Sequence, residues 1–92
     1  MLDPTRDEIL DKILEYFDIY SVEESSSIAK QFMAYFSIHF DIPRKELAKV
    51  LDCTPQYISQ LANKVSEGIR AKDPSYIEIM DTLWTKLCDE TD

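Results

Sequence analysis

Apolar residues recur at helical spacing along almost the whole chain, and polar punctuation divides them into five helical stretches. Ile9, Ile13, Leu14 and Phe17 mark the first. It starts at Thr5, with Glu8 at capping-box spacing and acids in the first turn, and runs to about Phe17 or Asp18. Ile19 to Glu24 is a break in which Ser21 and Glu24 stand at the spacing of one short capped turn, and Ser25-Ser26-Ser27 forms a polar joint. From Ile28 the pattern turns strongly apolar. Ile28, Phe32, Tyr35, Phe36 and His39 share one face with Met33 and Phe40 beside it, which predicts a central buried helix stopped by Asp41-Ile42-Pro43. Pro43 is expected to open the third helix, striped by Leu47, Val50 and Leu51. The fourth carries Ile58, Leu61, Ala62 and Val65. The fifth follows Asp73-Pro74 and presents Tyr76, Ile77, Met80, Leu83, Trp84, Leu87 and Cys88 as a broad apolar face. That face is expected to pack on the body, with a dimer seam as the runner-up.

Residues 44–66 are the organising stretch. Only Asp52, Cys53 and Thr54 separate the third and fourth stripes, so two helices must be joined by a tight turn. Thr54 suits the N-cap, and Pro55 suits the first helical position, where its missing N–H is unneeded and its φ is already helical. The fourth helix then continues through Ile69, with Gly68 as a weak point, and ends near Ala71. Helices joined this closely need a small residue where they approach; Ala48 supplies it, and Ile58 fills the gap opposite. Asp52 stands where the turn backbone takes φ > 0, which Asp tolerates at modest cost. Cys53 reads as a buried turn residue. The pattern is that of a helix-turn-helix, and the expected fold is all-α: one domain over residues 1–92, a compact bundle of about five helices with the helix-turn-helix at 44–66.

Composition narrows the function classes. A lone Gly with four Pro in 92 residues argues against a turn-rich β fold. No apolar run reaches the ~20 residues that span a bilayer. Met1 leads straight into Asp3 and Asp7 with no basic or apolar leader pattern, so a soluble, cytoplasmic chain without a membrane partner is expected. Cys53 and Cys88 fit no metal-ligand spacing and are expected to be reduced core residues. His39 is expected to be a partly buried structural histidine. The aromatic stripe of the second helix has a helical period and no sheet to display its rings, so it reads as core and not as a base-stacking platform. With Gly68 alone there is no phosphate-cradling loop, and no carboxylate pair is isolated among apolar residues. No nucleophile, metal or acid–base set is visible; the expectation is a non-enzyme without cofactor or metal.

The net charge of −8 first counts against a nucleic-acid partner, but its distribution reverses that reading. Residues 1–43 hold three bases against nine acids, net −6; residues 44–72 hold six against three, net +3; residues 73–92 hold one against six, net −5. The basic segment coincides with the helix-turn-helix, and phosphate contact needs local positive charge only. Off the core side of the fourth helix, after Pro55, stand Gln56, Tyr57, Ser59, Gln60, Asn63 and Lys64. Gln and Asn read adenine bidentately, which suits Gln56, Gln60 or Asn63. Thr54, Arg44, Lys45 and Lys64 are candidates for phosphate contact. The plain alternative is that these are ordinary solvated helix residues. The outer face of the first helix, with Asp7, Asp11, Lys12 and Glu15, likewise reads as solvated, with an acidic docking surface as the alternative.

Laid end to end, these elements resemble the C-terminal DNA-binding domain of the bacterial chromosomal replication initiator DnaA, within the Trp-repressor-like helix-turn-helix group. Residues 9–19 are similar to that family's first helix, with its aromatic pair before a short polar stretch. Lys30-Gln31-Phe32-Met33-Ala34-Tyr35-Phe36 resembles its Arg-Gln-led long helix, Glu46-Leu47-Ala48 falls where the family usually has Glu-Ile-Gly, and Asp73-Pro74 opens a final helix as it often does there. The resemblance adds Lys30 and Gln31 as DNA-backbone contacts. It departs at the recognition helix, where the family carries Arg-Asp-His-Ser/Thr-Thr-Val and this chain has Cys53-Thr54-Pro55-Gln56-Tyr57-Ile58. The family's basic loop before the long helix is replaced by Ser25-Ser26-Ser27, so its origin-box specificity is not expected to carry over, and no ATPase module is expected, as these residues have neither the length nor the phosphate loop for one. The expected function is double-stranded DNA binding, in replication initiation or transcription regulation, by a monomer or weak homodimer. The alternative is a protein-interaction module of a replication or regulatory complex that has lost DNA binding.

Overall fold

The computed structural model describes residues 4–89, with side chains through Leu87. The side chain of Cys88, expected in the core, lies outside the described residues. Five helices follow one another: α1 (Arg6–Phe17), α2 (Ser27–His39), α3 (Arg44–Leu51), α4 (Pro55–Arg70) and α5 (Pro74–Asp89), with one 3-10 turn at Val22–Glu24 between α1 and α2. No strand occurs among the described residues. The Cα radius of gyration is 12.2 Å, which matches the ~12 Å expected of a single packed domain of this length.

Four of the five helices start on a side-chain cap. The Thr5 hydroxyl accepts from the Glu8 N–H at 3.2 Å and donates to the Glu8 carboxylate at 3.2 Å. Ser26 accepts from the Ala29 N–H, Thr54 from the Tyr57 N–H, and the Asp73 carboxylate from the Ser75 N–H. Pro55 occupies the first turn of α4, as its fixed φ favours. Pro43 does not: it stands one residue earlier, in an extended conformation at φ −57° and ψ 134°, and α3 begins at Arg44 without a side-chain cap.

The helix ends share one device. Asp18, Asp41, Asp52 and Lys72 all take φ of 55–61°, and none is glycine. At each, the N–H of the left-handed residue reaches back three residues and the next N–H reaches back five: Asp18 to Glu15 and Ile19 to Leu14; Asp41 to Ile38 and Ile42 to Ser37; Asp52 to Lys49 and Cys53 to Ala48; Lys72 to Ile69 and Asp73 to Gly68. These paired bonds satisfy carbonyls that a helix end leaves open and turn the chain sharply into the next element.

Packing centres on α2, which lies chiefly against α4 and also against α1 and α3. Phe32, Met33, Ala34 and Phe36 are fully buried there, with Ile9 and Ile13 from α1, Leu47 from α3, Ile58, Leu61 and Val65 from α4, and Leu83 from α5. α5 closes the bundle through Ile79, Leu83 and Leu87; Ile79 belongs to its core face although the sequence stripe did not include it. Ala48 is buried at the α3–α4 approach as the pattern requires, while Val50 and Leu51 are only half-buried. His39 is exposed, not partly buried. It lies at the C-terminus of α2 with its ring edge-on to Phe40 and Trp84 at 4.9 and 4.8 Å.

Candidate nucleic-acid interface

The turn that joins α3 to α4 is built by Asp52 at φ 55°, ψ 54°, and by the Cys53 N–H bonded to the Ala48 carbonyl at 3.0 Å. Thr54 then caps α4. With Ile58, Leu61, Ala62 and Val65 turned into the core, helical spacing sends Gln56, Gln60 and Asn63 to the opposite side, and all three are exposed. Tyr57 and Lys64 are exposed beside them, Tyr57 at 43 %, while Ser59 is half-buried on the flank. The first acid of α4 is Glu67, so its N-terminal three turns present amides, hydroxyls and one lysine without a carboxylate.

Basic side chains gather around the start of α4. Lys45 and Lys49, one turn apart on α3, line a shallow cleft with Ala48, Asp52, Cys53 and Pro55. A second cleft across Lys49 is lined by Lys30 of α2 together with Val22, Glu23, Val50, Leu51 and Asp52. Lys45 and Lys49 on one face of α3 and Lys30 of α2 therefore line the clefts that adjoin the turn, next to the positive end of the α4 dipole. Asp52 and Glu23 temper this charge. Glu46 is directed elsewhere, toward Arg6 of α1 at 4.0 Å. Lys49 was missed as a site residue, although its i, i+4 relation to Lys45 put both on one face in the sequence.

Cys53 is half-buried, less enclosed than its pattern suggested. Burial raises its thiol above the ordinary value, Lys30 pulls it down, and Asp52 pushes it up. A raised thiol is a poor nucleophile at neutral pH. Among the described residues no cluster of His, Cys, Asp and Glu is arranged to hold a metal ion.

Arg44 occupies the other flank of α4, in a cleft with Tyr35, Ile38, His39, Ser59, Ala62, Asn63 and Ser66. Gln31 is not on this surface at all. It is 6 % exposed, its carbonyl oxygen accepts from the Tyr76 hydroxyl at 2.6 Å, and its amide donates to Ser27 Oγ at 3.4 Å. A side chain so enclosed and engaged has nothing to offer a phosphate, which corrects the expectation for Gln31. One residue earlier on α2, Lys30 stays half-exposed and at the turn.

No protein-family model, no curated protein and no solved structure matches this chain. No helix among the described residues is long and apolar enough to cross a membrane.

Proposed function

We propose that this chain binds double-stranded DNA through α3 and α4 acting as a helix-turn-helix, with the N-terminal half of α4 in the major groove. One observation carries the reading: over its first three turns, before Glu67, the outer face of α4 bears Gln56, Gln60 and Asn63 without a carboxylate and adjoins Lys30, Lys45 and Lys49 on an otherwise acidic body. Gln56, Gln60 and Asn63 read base edges, each good amide–adenine pair contributing about 1–3 kcal/mol of discrimination. Thr54, Arg44, Lys30, Lys45, Lys49 and Lys64 hold phosphates; Pro55, Tyr57 and Ser59 line the approach. With this reading goes a role in replication initiation or transcription regulation, which the resemblance to the initiator family suggests, for a cytoplasmic monomer or weak homodimer.

Selection from a randomised duplex pool, with the bound fraction sequenced, tests it. A short enriched motif is expected, and alanine at Gln56, Gln60 and Asn63 together should abolish the enrichment while leaving weak unselective binding. Lys64→Glu should weaken binding to every sequence alike. No retention on any duplex, even at low salt, would remove the reading and favour the protein-interaction module, to which the exposed acids Asp7, Asp11, Glu15, Glu78 and Asp81 of α1 and α5 would then point.

A further inference from the structure

The cleft at Arg44 does not end at Ser66. A second cleft of about 440 Å³, lined by Tyr35, His39, Ser66, Ile69, Arg70, Met80 and Trp84, shares Tyr35, His39 and Ser66 with the first, which measures about 290 Å³. The two form one groove between α2, α4 and α5. On α4 its wall is Ser59, Asn63, Ser66 and Arg70, spaced i, i+4, i+7 and i+11, so the groove follows that helix for about 16 Å. Its floor is apolar and aromatic, through Tyr35, Ile38, Ile69, Met80 and Trp84.

Among the described residues no acid lines either cleft, although acids outnumber bases 18 to 10 in the chain. Arg44 and Arg70 stand on its wall instead, with His39 at the centre. Arginine prefers planar, bidentate carboxylate partners, and a flexible Met beside an exposed Trp is a surface suited to an inserted apolar side chain. Trp84 is 40 % exposed, yet Phe36, Phe40 and His39 already face its ring, with centroids 6.2, 6.4 and 4.8 Å away. What stays exposed of Trp84 adjoins Ile69 and the flexible Met80, a setting that suits packing by aliphatic or aromatic side chains.

We infer that the α2–α4–α5 groove docks an acidic peptide segment of a partner protein, its carboxylates on Arg44 and Arg70 and an apolar side chain seated against Met80 and Trp84. An amphipathic helix of about three turns fits the length of the groove. The occupant is a partner of opposite local charge, which the groove attracts and the acids Asp7, Asp11, Glu15, Glu78 and Asp81 of α1 and α5 would repel.

The full chain, immobilised and challenged with a displayed library of random 16-residue peptides, tests the inference. Enriched peptides should combine Asp or Glu with large apolar residues. Synthetic versions without Trp should shift the emission of Trp84, the chain's single tryptophan. Arg70→Glu and Met80→Glu, checked for unchanged helicity by circular dichroism, should each weaken them at least tenfold. Failure of the library to enrich, enrichment of basic or uncharged peptides, or binding indifferent to both variants would overturn it. A Trp84 response to oligothymidine but to no peptide would overturn it too and assign the groove to single-stranded nucleic acid. Arg44, Ser59 and Asn63 border both surfaces, so duplex and peptide should compete, but Arg70 and Met80 line the groove alone, so loss of peptide binding in these variants is separable from loss of duplex binding.

Discussion

Gly68 is the only glycine in the chain, and it sits inside α4 where alanine would ordinarily favour the helix by about 1 kcal/mol. Its neighbour explains it. A Cβ built on Gly68 would lie 2.5–2.9 Å from three ring atoms of Tyr76. That ring cannot swing away cheaply, because its hydroxyl is bonded to Gln31 and its face lies against Phe32, with centroids 5.8 Å apart. Gly68→Ala should therefore destabilise the fold by about 1–3 kcal/mol through overpacking, against its helix propensity. Urea unfolding reads this directly. In a Tyr76→Ala background the penalty should vanish and the sign revert, since the two positions form one contact. A Gly68→Ala chain more stable than the parent, with Tyr76 in place, would refute the role given to the ring.

At the scale of elements, the four left-handed helix ends allow a sharper test than any single cap. Asp tolerates the left-handed region; Lys, at Lys72, does so at the ordinary steric cost. Lys72→Gly should keep both backbone bonds of the α4 end and gain about 1 kcal/mol, a rise of roughly 4–8 °C in Tm. A fall in Tm would mean that the Lys72 side chain matters more than its φ. These ends also mark how far the sequence could be read. The turn at Asp52 was legible because two apolar stripes closed on it from both sides, and all five helices followed from the same periodicity. At Asp18 and Asp41 the helix ends were legible too, but the left-handed geometry that makes them was not, because Asp is as much a start signal as a stop. Gln31 was placed outward because a resemblance supplied its role, whereas α2 is enclosed by α1, α3 and α4, and α5 brings Tyr76 onto it. His39 shares the apolar stripe but lies at the last turn of α2, where the neighbouring helices no longer cover it. The groove between α2, α4 and α5 was not legible at all, since Tyr35 of α2 lies 35 residues from Arg70 of α4 and 49 from Trp84 of α5, and the three helices meet only through packing.

For the molecule as a whole, proposed DNA binding sets a local attraction against a global repulsion, and ionic strength decides how much of each a duplex feels. At 0.15 M the Debye length is about 8 Å, well inside a body measuring 32 × 28 × 25 Å. A duplex against α4 then senses mainly Arg44, Lys30, Lys45, Lys49 and Lys64, and hardly the acids of α1 and α5. Five phosphate contacts imply a slope of log affinity against log salt near −4.5, a loss of about 10²–10³-fold for a fourfold rise in salt. At 0.01 M the Debye length reaches about 30 Å, and the net −8 of the entire chain enters. The salt dependence should accordingly flatten toward low salt instead of steepening without limit. Neutralising the outer face of α1 with Asp7→Asn, Asp11→Asn and Glu15→Gln should restore the steep slope below about 0.05 M and leave affinity at 0.15 M almost unchanged. Fluorescence anisotropy of a labelled duplex across this range is the measurement. A slope that stays steep to the lowest salt in the parent chain would show that the acidic body does not oppose binding, and a slope near zero throughout would show that phosphates are not what this surface holds.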